Sequence, residues 1–83
     1  MDVEEQIKII IDVLGDLQEE GSVPRNVKDK IVITIEALKE KDEISIKVHK
    51  ALHELEEVAE DPNLQTYTRT QIWNVVSELE KIA

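Results

Sequence analysis

The chain has no cysteine and no phenylalanine, and its 83 residues include only two glycines, two prolines, one tyrosine and one tryptophan. The lack of cysteine excludes disulfide staples, thiolate zinc sites and cysteine-ligated iron–sulfur clusters. Gly15 and Gly21 are too few and too far apart to form a glycine-rich loop around a phosphate. The longest apolar runs, such as Ile9-Ile10-Ile11, fall far short of the roughly 20 residues that a membrane-crossing helix needs. The start, Met1-Asp2-Val3-Glu4-Glu5, is the reverse of the basic-then-apolar opening of a signal peptide. A cytoplasmic protein is therefore expected. Positive charge is also scarce: 10 Lys and Arg face 19 Asp and Glu, for a net charge of −9 and a pI near 4.6. Such a field repels phosphates, so neither a nucleic acid nor a membrane is expected as a partner.

What the chain has instead is aliphatic: 11 Ile, 9 Val and 7 Leu. At this length these must build the core of one small domain, residues 1–83. Their order says the same thing twice. Shifted by 41 residues, Ile7, Ile11, Leu14 and Leu17 fall on Val48, Leu52, Leu55 and Val58. Under the same shift Val23, Ile31, Ile35 and Leu38 fall on Leu64, Ile72, Val76 and Leu79. A self-match of this period suggests two copies of one helical hairpin.

Four amphipathic segments carry the pattern, each with apolar residues three, four and seven apart, the helical period. The first runs from about Val3 to Glu20, and Gly21 stands where a C-terminal cap belongs. The second opens at Ser22-Val23-Pro24, where proline suits the start of a helix. Its stretch Ile31-Val32-Ile33-Thr34-Ile35 alternates like a strand, but its flanks keep the helical spacing. The third carries Ile44, Val48, Ala51, Leu52, Leu55, Val58 and Ala59, and Asp61-Pro62-Asn63 breaks it. The fourth carries Ile72, Val75, Val76, Leu79 and Ile82. Short connections make neighbouring helices antiparallel. The expected fold is all-α: a four-helix up-and-down bundle of two tandem helical hairpins, at about 3–40 and 44–82. Two hairpins are too few for an open solenoid, so closure into a bundle buries more surface.

Charge follows the segments. Residues 1–20 carry a net −6, 21–41 a net +2, 42–61 a net −5, and 62–83 none. A bundle then sets acidic helices beside neutral or basic ones, although single surface pairs contribute only a few tenths of a kcal/mol.

Three constellations invite a functional reading. His49 and His53 share a helix face with Glu56 and Glu60 nearby, as in some divalent-metal sites. Lys50 occupies the place after the first His where a zinc-protease helix has glutamate, so a solvated flank with no metal and no cofactor is expected. Arg25, Lys28 and Arg69 lie near the starts of the second and fourth helices, at one end of the bundle, where free N–H groups favour anions. They either bind an anion or neutralise Glu19, Glu20, Glu57, Glu60 and Asp61, which end the first and third helices there. Finally Ile9, Val13, Val32, Ile33, Ile46 and Trp73 fall outside the core faces. Four of them lie in the first hairpin and predict a contiguous apolar patch, of the kind that marks a surface for self-association or for a protein partner. No serine or threonine has a supporting His and acid, and no buried acid pair is legible, so an enzyme is not expected.

The motifs Val23-Pro24-Arg25-Asn26, Asp61-Pro62-Asn63 and Thr68-Arg69-Thr70-Gln71-Ile72-Trp73-Asn74 give the chain a resemblance. It resembles the small archaeal proteins grouped as uncharacterised protein family 0147, over essentially its whole length, including the ending Val76-Ser77-Glu78-Leu79-Glu80. It departs at Gln65, where members often carry proline. The resemblance implies an archaeal source and an up-and-down four-helix bundle, and it brings no assigned activity and no functional residues.

Overall fold

The computed structural model describes residues 2–83 and contains four α-helices: α1 (Val3–Gln18), α2 (Arg25–Lys39), α3 (Ile44–Ala59) and α4 (Thr66–Ile82). Among the described residues there is no strand, so the strand-like alternation at 31–35 resolves as helix. Packing against α1 and α3 outweighs the modest helix reluctance of β-branched residues.

Each helix start has a local cause. Asp2 caps α1, its Oδ1 accepting from the Glu5 N–H at 2.9 Å, and Glu4 and Glu5 place negative charge in the first turn. Pro24 immediately precedes α2 with φ −58° and ψ 148°. Gln65 precedes α4 with almost the same backbone, φ −67° and ψ 150°. The loops leading into α2 and α4 also use corresponding hydrogen bonds: Val23 N–H to Glu20 O and Leu64 N–H to Asp61 O, both 3.2 Å, then Lys28 N–H to Pro24 O and Arg69 N–H to Gln65 O.

Gly21 is not the left-handed cap that the sequence suggests. α1 ends at Gln18, Glu19 stays right-handed at φ −86°, and no described residue, glycine or otherwise, has positive φ. The chain leaves the helix instead by tightening its last turn, with Glu19 N–H donating to Asp16 O and Glu20 N–H to Leu17 O, each at 3.2 Å.

Consecutive helices pack antiparallel, giving an up-and-down bundle of 32 × 19 × 19 Å. The core is the predicted stripe of Ile7, Ile10, Leu14 and Leu17 from α1, Val27, Ile31 and Leu38 from α2, Val48, Leu52, Leu55 and Val58 from α3, and Ile72, Val76 and Leu79 from α4. Ile11, Ile35, Ile44 and Ile82 pack against it from the edges. Three polar residues join it unannounced: Thr34, Thr68 and Lys47. Thr34 satisfies its hydroxyl within its own helix, donating to Lys30 O at 2.8 Å.

The four seams are unequal. The α2–α3 contact is the most extensive, and the α1–α4 contact that closes the bundle is by far the thinnest. Sequence neighbours are tied by short loops, whereas α1 and α4 are joined only by side chains. That inequality positions the surface described next.

Candidate interaction surfaces

At the thin α1–α4 seam, a groove runs along the bundle. One stretch of about 130 Å3 is lined by Ile9, Ile10 and Val13 of α1 and by Gln71, Asn74 and Val75 of α4, with Glu78 at its edge. The groove continues past Val13 and Leu17 to Tyr67, and there Asp16, Glu19 and Glu20 border it. Its floor is apolar and its rim is acidic. Ile9 is 48% exposed and Tyr67 69% exposed, while Val13 is half-buried against the core. On α1, Ile9 and Val13 are one helical turn apart and form one stripe. On α4, Tyr67, Gln71, Asn74 and Glu78 form the facing stripe at spacings of four, three and four.

The predicted patch on the first hairpin divides in the structure. Ile9 and Val13 belong to the α1–α4 groove, whereas Ile33 lines a separate depression between α2 and α3, with Ala37, Lys50 and His53. Val32 is half-buried on α2. Trp73 and Ile46 are exposed on α4 and α3. Trp73 follows the Arg69–Val76 stripe of α4, a different flank from the one that lines the groove. Tyr67 was absent from the sequence-derived surface. The signal for it is its register with Gln71 and Glu78, legible only once α1 is known to lie opposite.

The cationic end is also divided. Arg69 turns its guanidinium to the end of α3, its Nε donating to Ala59 O at 3.0 Å and its Nη2 to Asp61 O at 2.7 Å. It therefore satisfies carbonyls that the helix leaves without partners. The Asp61 side chain ties the α3–α4 loop to the start of α2: Oδ2 accepts from Asn26 Nδ2 at 2.8 Å, and Oδ1 accepts from the Asn63 N–H at 2.8 Å. The Asn26 hydrogen bond, then the Asn63 N–H and the charge of Arg69, hold the Asp61 carboxyl below the usual aspartate range. Arg25 is exposed and Lys28 half-buried, and neither makes an ion pair among the described residues. α2 and α4 lie diagonally across the bundle, so Arg25 and Lys28 do not converge with Arg69 through a direct helix contact.

The histidines stand apart from one another chemically. His49 Nδ1 lies 2.6 Å from Ser45 O, and His53 Nε2 lies 3.5 Å from Glu57 Oε1. Among the described residues, no three His, Cys, Asp or Glu side chains converge as metal ligands do. Glu57 also accepts from Lys30 Nζ at 2.7 Å, with Glu54 at 3.8 Å from the same ammonium, so α2 and α3 are joined by an ion network. The Lys30 hydrogen bond lowers the Glu57 carboxyl's pKa, and the same bond raises that of Lys30. At the α2–α3 turn, Lys50 sits 3.5 Å from both Glu40 and Asp42, which raise its pKa by their charge.

No helix is long and apolar enough among the described residues to cross a membrane. Residues 1–82 match the model of an "Uncharacterised protein family (UPF0147)". Among similar sequences, a UPF0147 protein of Pyrococcus abyssi is 43% identical over 83 residues, covering 98% of this chain and 96% of that one. A UPF0147 protein of Methanocaldococcus jannaschii is 40% identical over 80 residues, covering 95% of this chain and 86% of its own. A solved crystal structure of an unknown-function protein, MMP1188, superposes with a TM-score of 0.92 at 36% identity, over 99% of this chain and 94% of that one.

Proposed function

For a chain that belongs to the UPF0147 family, we propose a module that works by contact: the α1–α4 groove receives an amphipathic helix from a partner protein. The observation that carries this reading is the thin α1–α4 seam, which leaves Ile9 and Val13 partly uncovered beside Val75. An apolar floor between two helices is the surface on which a third helix lays residues spaced three, four and seven apart. The rim selects the sign of the partner. Asp16, Glu19, Glu20 and Glu78 favour a helix with Lys or Arg on its flanks. A second copy is a poor occupant, because its own α1 segment brings a net −6 to an acidic rim.

The test uses two synthetic helical peptides with the same leucine stripe, one flanked by lysines and one by glutamates. The lysine peptide is expected to shift the backbone resonances around Ile9, Val13 and Val75, more weakly as salt rises. Ile9→Asp, exposed enough to be tolerated by the fold, is expected to reduce that binding at least tenfold with an unchanged melting temperature. Equal binding of both peptides, or binding that survives Ile9→Asp, would overturn the reading. So would a concentration-dependent dimer in light scattering that dissociates on Ile9→Asp, since the groove would then serve a second copy.

A further inference from the structure

At the opposite end of the bundle from Arg69, one lysine buries its stem in the core edge with no charged partner for its head. Lys47 is 7% exposed, and it is the only charged residue so buried among those described. A lysine with so little exposed surface commonly carries a partner. This one has none: no described carboxylate lies within 4.0 Å of it, in a chain with 19 acids. It also stands in the first turn of α3, the end of a helix that disfavours a cation, and Glu43 supplies no side-chain cap there.

The ammonium is not sealed in, because no buried side-chain nitrogen or oxygen among the described residues lacks a hydrogen-bond partner. It opens onto a surface cavity of about 460 Å3, bounded by α1, α2 and the start of α3 and open to solvent on one side. Two more lysines line that cavity, Lys8 and Lys39, and neither makes an ion pair among the described residues. Glu4 and Asp12 face the same space without reaching any of the three. Three ammonium groups against two carboxylates leave one positive charge unmatched. Between them Ile11 presents apolar surface, with the buried Ile7 and Leu38 behind it.

We infer that this cavity binds a small organic monoanion, a carboxylate head beside Lys47 with a short aliphatic tail against Ile11. The competing account is that the Lys47 stem fills the core edge and its head merely reaches water. Lys47→Met separates the two, because it keeps the stem and removes the charge.

The experiment is a titration of the full chain, labelled for NMR, with sodium hexanoate, with sodium phosphate and with sodium chloride at matched ionic strength. Hexanoate is expected to move the amide resonances of Ile7, Ile11, Leu38 and Lys47 together and saturably, with half-saturation at about millimolar concentration, as befits so small a ligand. Lys47→Met is expected to weaken hexanoate at least tenfold, and Lys8→Met to weaken it about threefold if the first variant does not fold. Phosphate is expected to bind much more weakly, because it has no tail. Shifts that fail to saturate, or that match those in chloride, would overturn the site. Saturation unchanged in Lys47→Met, or in Lys8→Met if that is the variant measured, would overturn the role of the charge. Phosphate binding as tightly as hexanoate would overturn the tail.

Discussion

Pro24 and Gln65 stand at the same place in the loops that lead into α2 and α4, and only one of them is a proline. Gln65 already has the backbone a proline requires, with φ −67° against −58° at Pro24. Its N–H donates to no backbone carbonyl in the loop, and its side chain makes no capping hydrogen bond, so nothing is lost on closing the ring. The residue before it must be extended. Leu64 is buried and hydrogen-bonded as Val23 is, and in that matching turn Val23 already precedes a proline. The remaining effect is on the unfolded chain, which loses conformational freedom worth about 0.4–1 kcal/mol. For a domain of this size, that raises the melting temperature by about 2–8 °C. Gln65→Pro is therefore expected to stabilise the protein, and Pro24→Gln to destabilise it by a similar amount, in thermal and urea unfolding. A Gln65→Pro variant that melts below the parent would refute the equivalence of the two turns.

Gly15 lies inside α1, and a Cβ built there meets nothing within 4 Å. Gly15→Ala is expected to stabilise by about 1 kcal/mol in urea unfolding. Arg69→Ala should cost about 2 kcal/mol, since two charge-assisted hydrogen bonds to the end of α3 disappear together. Arg69→Lys should recover less than half of that in the same assay, because an ammonium cannot reproduce the guanidinium fork. Asp61 makes part of the stability pH-dependent. Its folded carboxyl titrates below its unfolded value, so the contribution is complete above the ordinary aspartate pKa of about 3.9 and is lost as pH falls through the lower folded value. The stability gap between parent and Asn26→Ala, followed by urea midpoints from neutral pH into acid, should hold steady and then shrink below about pH 4.

The helices and most of the core were legible because a periodic apolar pattern is a strong constraint, and each predicted stripe found its neighbours. Family membership was legible from motifs at two turns and in the first half of α4. The misses share a cause, which is that they depend on what lies across from a residue. Gly21 suggested a left-handed cap, but the last turn of α1 tightens and needs none. Thr34 and Thr68 sit on core faces, where their position outweighs their polarity. Lys47 looked like one lysine among eight until the cavity around it was visible. Arg69 was weighed as a counter-charge for carboxylates, whereas its partners are backbone carbonyls that carry no mark in a sequence. The sequence presents the apolar residues of the first hairpin as one patch, whereas the bundle sends Ile9 and Val13 to one groove and Ile33 to another.

The thin α1–α4 seam has a consequence for how the molecule comes apart. α2, α3 and α4 form a chain of broad contacts reinforced by the Lys30–Glu57 bond and the Asp61 tie, while α1 is secured broadly only by α2. The first helix is thus a leaf on a hinge at residues 19–24, and the cheapest partial opening swings it outward while the other three stay folded. A leaf of that kind can be traded. When two copies open at once, each can accept the other's α1 into the vacated place with every native contact preserved, and the route to such an exchange runs through the loosest joint in the bundle.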